Sequence, residues 1–309
     1  MVMFTVLVLL SGCVLSGAYY LPAESSMPRN VSLKDVPYFQ QSEFHCGPAA
    51  LAMAISAKGR EITPEELARI SFTPGRQGTF QNDMISATRR SGKVAYIVDS
   101  NLKDLALKTA GGDPVIVLLN LGLEYFPVYH YALVVGYDLD SNKIELQAAR
   151  ESGAKREFMP IRTFLNVWYR AGAWGMVVLA PGQIPPNSNE RRYAEAAIGL
   201  ERAELFAEAL LAYEAGQQKW PESLPLLMGL ASASYKAGDI DRARQLLRQA
   251  ASQQANSAEV LNNYAYILAH SGQLEAARNI SHRANQIDTG SCGSYCRETL
   301  EYIEGMRDE

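Results

Sequence analysis

The sequence predicts an α+β domain, helices first and an antiparallel sheet after, followed by an all-α array of helical repeats. Three observations carry this. Between residues 46 and 92 the apolar positions recur at helical spacing. From about 94 to 180 they give way to short β-branched and aromatic runs bounded by Gly, Asp, Asn and Pro. Beyond 190 small residues recur every 34 positions. At 309 residues and 48% hydrophobic, the chain has the apolar content to give each part its own core. The net charge of -4, with no block of Lys and Arg, argues against a nucleic-acid partner.

The N-terminus comes first. Residues 1–10, MVMFTVLVLL, are too short to span a bilayer as a helix but match the apolar region of a signal peptide. Leu10 to Cys13, LSGC, follow at once and resemble a bacterial lipobox, which implies cleavage before Cys13 and lipidation of its thiol. No Lys or Arg precedes the run, which leaves open a start upstream or a weak basic region, and an ordinary secretory signal with an incidental Cys13 is the alternative. Val14, rather than Asp, after the cysteine points to an outer-membrane anchor facing the periplasm. Residues 14–33 read as a tether.

Residues 34–182 form the first domain. GPAALAMAISAKG reads as a helix with Pro48 in its first turn and Gly59 after its end. In TPEELARIS, Thr63 and Glu66 make a capping box, and FQNDMISATRRSG reads as a third helix ending at Gly92. VAYIV, PVIVLLNL, HYALVVGYD, KIELQAA and WGMVVLAP read as strands, with Asp138 to Asn142 as a hairpin turn. The proline-rich stretch PGQIPPNSNE supplies a linker over 183–190.

From 191 to 309 the pattern is repetitive. Ala209, Ala243 and Ala277 fall 34 apart, as do Ala197, Ala231 and Ala265. Gly238 and Gly272 keep the same period at expected helix-helix turns, and Gly216, Ala250 and Ala284 give a third small-residue row. This spacing resembles tetratricopeptide repeats, with a C-terminal helix after them. Such stacks bury faces that no single helical hairpin can bury, and they imply either a docking surface for a peptide or protein, or a packing extension of the first domain.

Four cysteines and four histidines narrow the chemistry. With Cys13 lipidated and Cys292 paired to Cys296, Cys46 is left as a single free thiol; two small half-buried residues are the alternative at 292 and 296. No His stands at metal-ligand spacing from a Cys, so no metal or other cofactor is expected. A nucleophilic thiol needs a lowered pKa, which a helix N-terminus and an imidazolium both supply. His45 adjoins Cys46 and should point away from it, whereas His270 and His282 fall in the repeats and read as exposed. His130 opens a strand where it can face a cleft, and is the expected base.

VPYFQQSEFHCGPAALAMA, with HYALVVGYD later in the chain, resembles the C39 family of papain-like cysteine peptidases, the double-glycine leader peptidases found fused to bacteriocin exporters. The resemblance covers roughly residues 34–180. PGRQGTFQNDM and RTFLNVWYRAGAWGMVVLAPG are similar to a stand-alone lipoprotein subfamily with C-terminal repeats. It implies a papain-like fold, Cys46 as nucleophile, His130 as base and then acid, and Gln40 as the oxyanion-hole amide, with Gln41 as the other choice. The family's Asp beside the histidine aligns here with Gln147, whose amide would orient the imidazole less strongly than a carboxylate.

The implied function is hydrolysis of a peptide bond in a peptide or exported protein, through a thioester, with the repeats docking a partner. By family analogy the cleft suits small residues such as Gly-Gly. No phosphate-binding loop of the G-x-x-x-x-G-K-[ST] type occurs, so no ATP is expected. A catalytically weak peptide-binding adaptor or assembly factor is the alternative, favoured by Gln147. Amidase or transglutaminase-like acyl transfer on the same scaffold is a third.

Overall fold

The computed structural model describes residues 27–40, 44–73, 75, 78–148 and 155–306. The lipidation expected at Cys13 and the candidate Gln41 lie outside them.

The first domain is a mixed-layer α+β unit. Helix α1 (Cys46–Ser56) is buried from Gly47 to Ile55 and so forms the central helix. Helix α2 (Pro64–Ser71) begins at the Thr63 capping box, in which Thr63 N–H donates to Glu66 Oε2 and Glu66 N–H to Thr63 Oγ1. Helix α3 (Gln81–Arg90) ends before Gly92, whose left-handed φ of 66° favours glycine. These three helices cover one face of the sheet, around a core that includes Leu51, Met53, Ile55, Tyr131 and Leu133.

The strands are β1 (Asn30–Ser32), β2 (Val94–Ile97), β3 (Val115–Asn120), β4 (Tyr129–Asp138), β5 (Lys143–Gln147), β6 (Glu157–Pro160) and β7 (Gly175–Leu179). Their order is β2-β7-β3-β4-β5-β6, and every pairing is antiparallel. β1 pairs with the far end of β4, beyond the stretch that β3 occupies. At the β4–β5 turn, Asp138 Oδ1 accepts from the N–H groups of Asp140 and Ser141, and Asn142 takes a left-handed φ of 56°.

Helices α4 (Leu102–Ala110) and α5 (Ile161–Tyr169) cover the second face of the sheet. Neither is among the elements that periodicity predicts, and nor are the short strands β1 and β6.

The repeats are three antiparallel helix pairs and a capping helix: α6 (Glu190–Glu201) with α7 (Phe206–Lys219), α8 (Leu224–Lys236) with α9 (Ile240–Gln253), α10 (Ala258–His270) with α11 (Leu274–Ile287), then α12 (Ser294–Gly305). All three small-residue rows are buried where paired helices approach. Gly238 and Gly272 sit in the turns at φ 85° and 76°. Cys292 and Cys296 are joined by a disulfide at the start of α12.

The first repeat is continuous with the first domain. Tyr193, Ala197, Leu200 and Tyr213 share one apolar core with β2, β3 and α4, and α6 packs on β2. Arg89 of α3 lies against Gly199 of α6, where any side chain would collide with the guanidinium. The segment expected as a plain linker is fixed in place, because the carbonyls of Pro186 and Asn187 accept from the buried Lys108 ammonium.

Candidate active site

Cys46 is the first residue of α1, where the N–H groups of the opening turn have no partners within the helix. His130 is the second residue of β4. Both line one groove of about 530 Å³. The loop ahead of α3 forms its other wall through Gly78, Thr79 and Phe80, with Gln81 at the start of the helix, and Leu118, Tyr129 and Tyr131 complete the lining. Three successive residues, 129 to 131, reach the groove because it opens at the end of β4. The walls are largely apolar.

Gly47 has a specific task here. A Cβ on it would meet Thr79 Cβ at 2.8 Å and Thr79 Oγ1 at 3.0 Å. The glycine therefore admits the loop to the helix start, a closer constraint than general room for an extended peptide. The loop is held by an isolated β-bridge between Thr73 and Gly78, by Phe80 N–H donating to Asp83 Oδ2, and by the Tyr131 phenol donating to Thr79 O at 3.2 Å.

The electrostatics differ from the expectation of a lowered thiol pKa. Burial pushes the Cys46 thiol up, and the N–H groups of Tyr131, Gly47 and Cys46 itself only partly offset it. Burial also raises the Tyr131 phenol, reinforced by Cys46 and Asp83 nearby, so it remains a donor.

The other sequence candidates lie elsewhere. Gln40 is exposed and is not among the residues lining the groove. Gln147 is buried, but its amide nitrogen donates to Pro37 O at 2.7 Å and Val36 O at 3.4 Å and touches Met53 Sδ at 3.2 Å. It stands opposite Leu133, an odd number of residues from His130, so the pleat puts the two on different faces. The next residue, Ala148, packs in the same cluster as Ala132 and has no side-chain acceptor to offer an imidazole.

His45 packs edge-on against Phe72, with ring centroids 4.7 Å apart, and does not line the groove. His282 is exposed and lies 3.4 Å from Glu304. His270, expected at the surface, is instead half-buried among Tyr235, Tyr266 and Tyr302, with Nδ1 2.8 Å from Tyr266 O. Sequence reasoning missed Thr79 and Gln81 as groove residues, although GTFQ stood within a stretch that carried the resemblance.

Residues 33–176 match the Peptidase_C39 like family. The N-terminal unit is a C39-like peptidase domain. Residues 200–262 and 235–291 match the tetratricopeptide repeat, so the chain couples a C39-like domain to an array of such repeats. No curated protein matches. Among solved structures, the peptidase domain of Streptococcus ComA, a bi-functional ABC transporter of a quorum-sensing pathway, is 18% identical over 47% of this chain and 98% of its own, with a TM-score of 0.39. The TPR2B domain of yeast Sti1, in a pHsp70 complex, is 15% identical over 38% of this chain and 98% of its own, with a TM-score of 0.36.

The repeats form a second groove, of about 490 Å³, between α8, α10 and the turn before α12. Leu224, Met228 and Val260 give it apolar walls, and Asn262 lines it with a buried Oδ1 that has no hydrogen-bond partner among the described residues. Among the described residues no group of three potential ligands could hold a metal, and no helix is long and apolar enough to cross a membrane.

Proposed function

We propose that this protein is a lipid-anchored thiol peptidase of the bacterial cell envelope, cutting a peptide bond in a peptide or exported protein that the repeats recruit. The observation that carries the reading is the shared groove: Cys46 at a helix start and His130 at a strand end line the same cavity. Cys46 attacks the carbonyl carbon, His130 takes the thiol proton and returns it to the leaving amine, and water then resolves the thioester. The apolar run and LSGC motif support the anchor at Cys13. The Cys292–Cys296 disulfide supports an oxidising compartment such as the periplasm, and Val14 after Cys13 supports the outer-membrane anchor. The Asn262 groove is where an extended partner segment would dock.

The raised thiol pKa favours a second reading, in which the C39-like domain holds a peptide without efficient turnover and the protein is an adaptor. The rate of Cys46 alkylation by iodoacetamide against pH separates the two, measured in a Cys13→Ser background with and without His130→Ala. The peptidase reading expects an inflection below about 8.5, the value of a free thiol, that moves upward in His130→Ala. A profile at or above that value and indifferent to His130 would leave the adaptor.

A further inference from the structure

We propose that the Thr79 hydroxyl is the side-chain oxyanion donor for acyl transfer at Cys46, the role that resemblance gives to Gln40. The proposal rests on the thiol-chemistry reading above. Thr79 lines the groove with Cys46 and His130, whereas Gln40 is exposed outside it.

Thr79 Oγ1 is buried and has no hydrogen-bond partner among the described residues. An orphaned buried hydroxyl costs free energy, and a site that receives a charged oxygen recovers it. The position fits. Thr79 Oγ1 lies 3.0 Å from where a Gly47 Cβ would be, against the first turn of α1. There the Cys46 and Gly47 N–H groups lack acceptors within the helix and act on the Cys46 sulfur, so the hydroxyl and these backbone donors belong to the same helix start.

The hydroxyl is also preorganised. Its own carbonyl accepts from the Tyr131 phenol, and the next residue's N–H is held by Asp83. Neither bond uses Oγ1, which is left uncommitted among the described residues.

In the step itself the Cys46 sulfur forms a bond to the acyl carbon, and the carbonyl π pair moves onto oxygen. Thr79 O–H donates to that oxygen while it carries charge. The pair then returns, the bond to the leaving group breaks, and the proton held by His130 goes with it. Thr79 keeps its proton throughout.

The test compares two reactions of Cys46 in the full chain carrying Cys13→Ser: acylation by p-nitrophenyl acetate, followed as the burst of p-nitrophenolate, and alkylation by iodoacetamide, which develops no oxyanion. Thr79→Val is expected to slow acylation about 100-fold while alkylation changes less than about twofold, and Thr79→Ser to retain most of the burst. Thr79→Ala serves the same comparison if valine disturbs folding. Acylation at the wild-type rate in the hydroxyl-free variants, or equal slowing of both reactions, would overturn the role of Thr79 and leave the peptidase reading standing. A wild-type protein with no Cys46-dependent burst would remove both.

Discussion

Lys108 and Asp104, one turn apart on α4, form an ion pair with both side chains fully inside the protein, at 2.7 Å. Three of the polar contacts around them reach residues 186 and 187 and tie the two halves of the chain together. The Lys108 ammonium donates to the carbonyls of Pro186 and Asn187 and lies 5.3 Å from the centre of the Tyr96 ring. Asp104 accepts from Asn187 Nδ2 and from the N–H of Asp99, and the Tyr96 hydroxyl accepts from Asn189 N–H just ahead of α6. A buried charge pair is tolerated because its hydrogen-bonding capacity is met.

Lys108→Met should therefore destabilise the protein by about 3 to 5 kcal/mol, since it leaves Asp104 charged and buried. Adding Asp104→Leu should recover part of that loss. Urea unfolding checks both, and limited proteolysis should show new cleavage between 181 and 189 in the single variant. Unchanged proteolysis with full stability would mean that the junction is held by the shared apolar core alone.

Gly47→Ala should disturb the groove more than so small a change suggests. The added methyl meets Thr79 Cβ at 2.8 Å, and the loop is pinned by Asp83 and Tyr131, so it cannot give way freely. A loss of about 1 to 3 kcal/mol in thermal or urea unfolding is expected, as for other overpacked sites. Gly47→Ala at wild-type stability would show that the loop is free to retreat from the helix.

The α+β order, the capping box and the 34-residue repeat were legible because each is a local pattern. Thr63 and Glu66 bond across one turn, and the rows through Ala243 and Ala277 follow from helix pairs contacting only their neighbours. What was not legible depends on contacts distant in sequence. Nothing near Gln147 announces that its amide will bond Pro37, 110 residues away. Nothing around Thr79 announces that it will rest on Gly47. His270 read as a surface residue because its aromatic neighbours come from three different helices.

Asp288 gives a pH prediction. Its carboxylate is held below the ordinary range chiefly by the N–H of Cys292, with Gly290 and Gly293 adding to the effect. A depressed folded pKa contributes stability that is present above the unfolded value of about 3.9 and is lost as pH falls through the folded one. The turn before α12 should thus loosen in that acid window, and Asp288→Asn should flatten the dependence. Amide chemical shifts of Cys292 and Gly293 followed from pH 6 downward test it; a wild-type titration unaltered in Asp288→Asn would reject the carboxylate as the cause.

Gln147 separates a structural from a catalytic assignment. If it oriented the imidazole, Gln147→Leu would shift the pH profile of Cys46 alkylation through His130. The geometry expects otherwise, because the amide nitrogen is committed to Pro37 O and Val36 O on the segment leading into the groove. Leucine leaves two carbonyls without that donor, so a loss of about 1 to 3 kcal/mol in urea unfolding is expected. The alkylation profile of the folded variant should match wild type. A shifted profile at unchanged stability would restore the orienting role. With Gln147 set aside, Ala148 beside the histidine strand offers no side-chain acceptor either, so on the proposed reading Cys46 and His130 would act as a pair, and the charge developing on the substrate would fall to the Thr79 hydroxyl and the helix N-terminus.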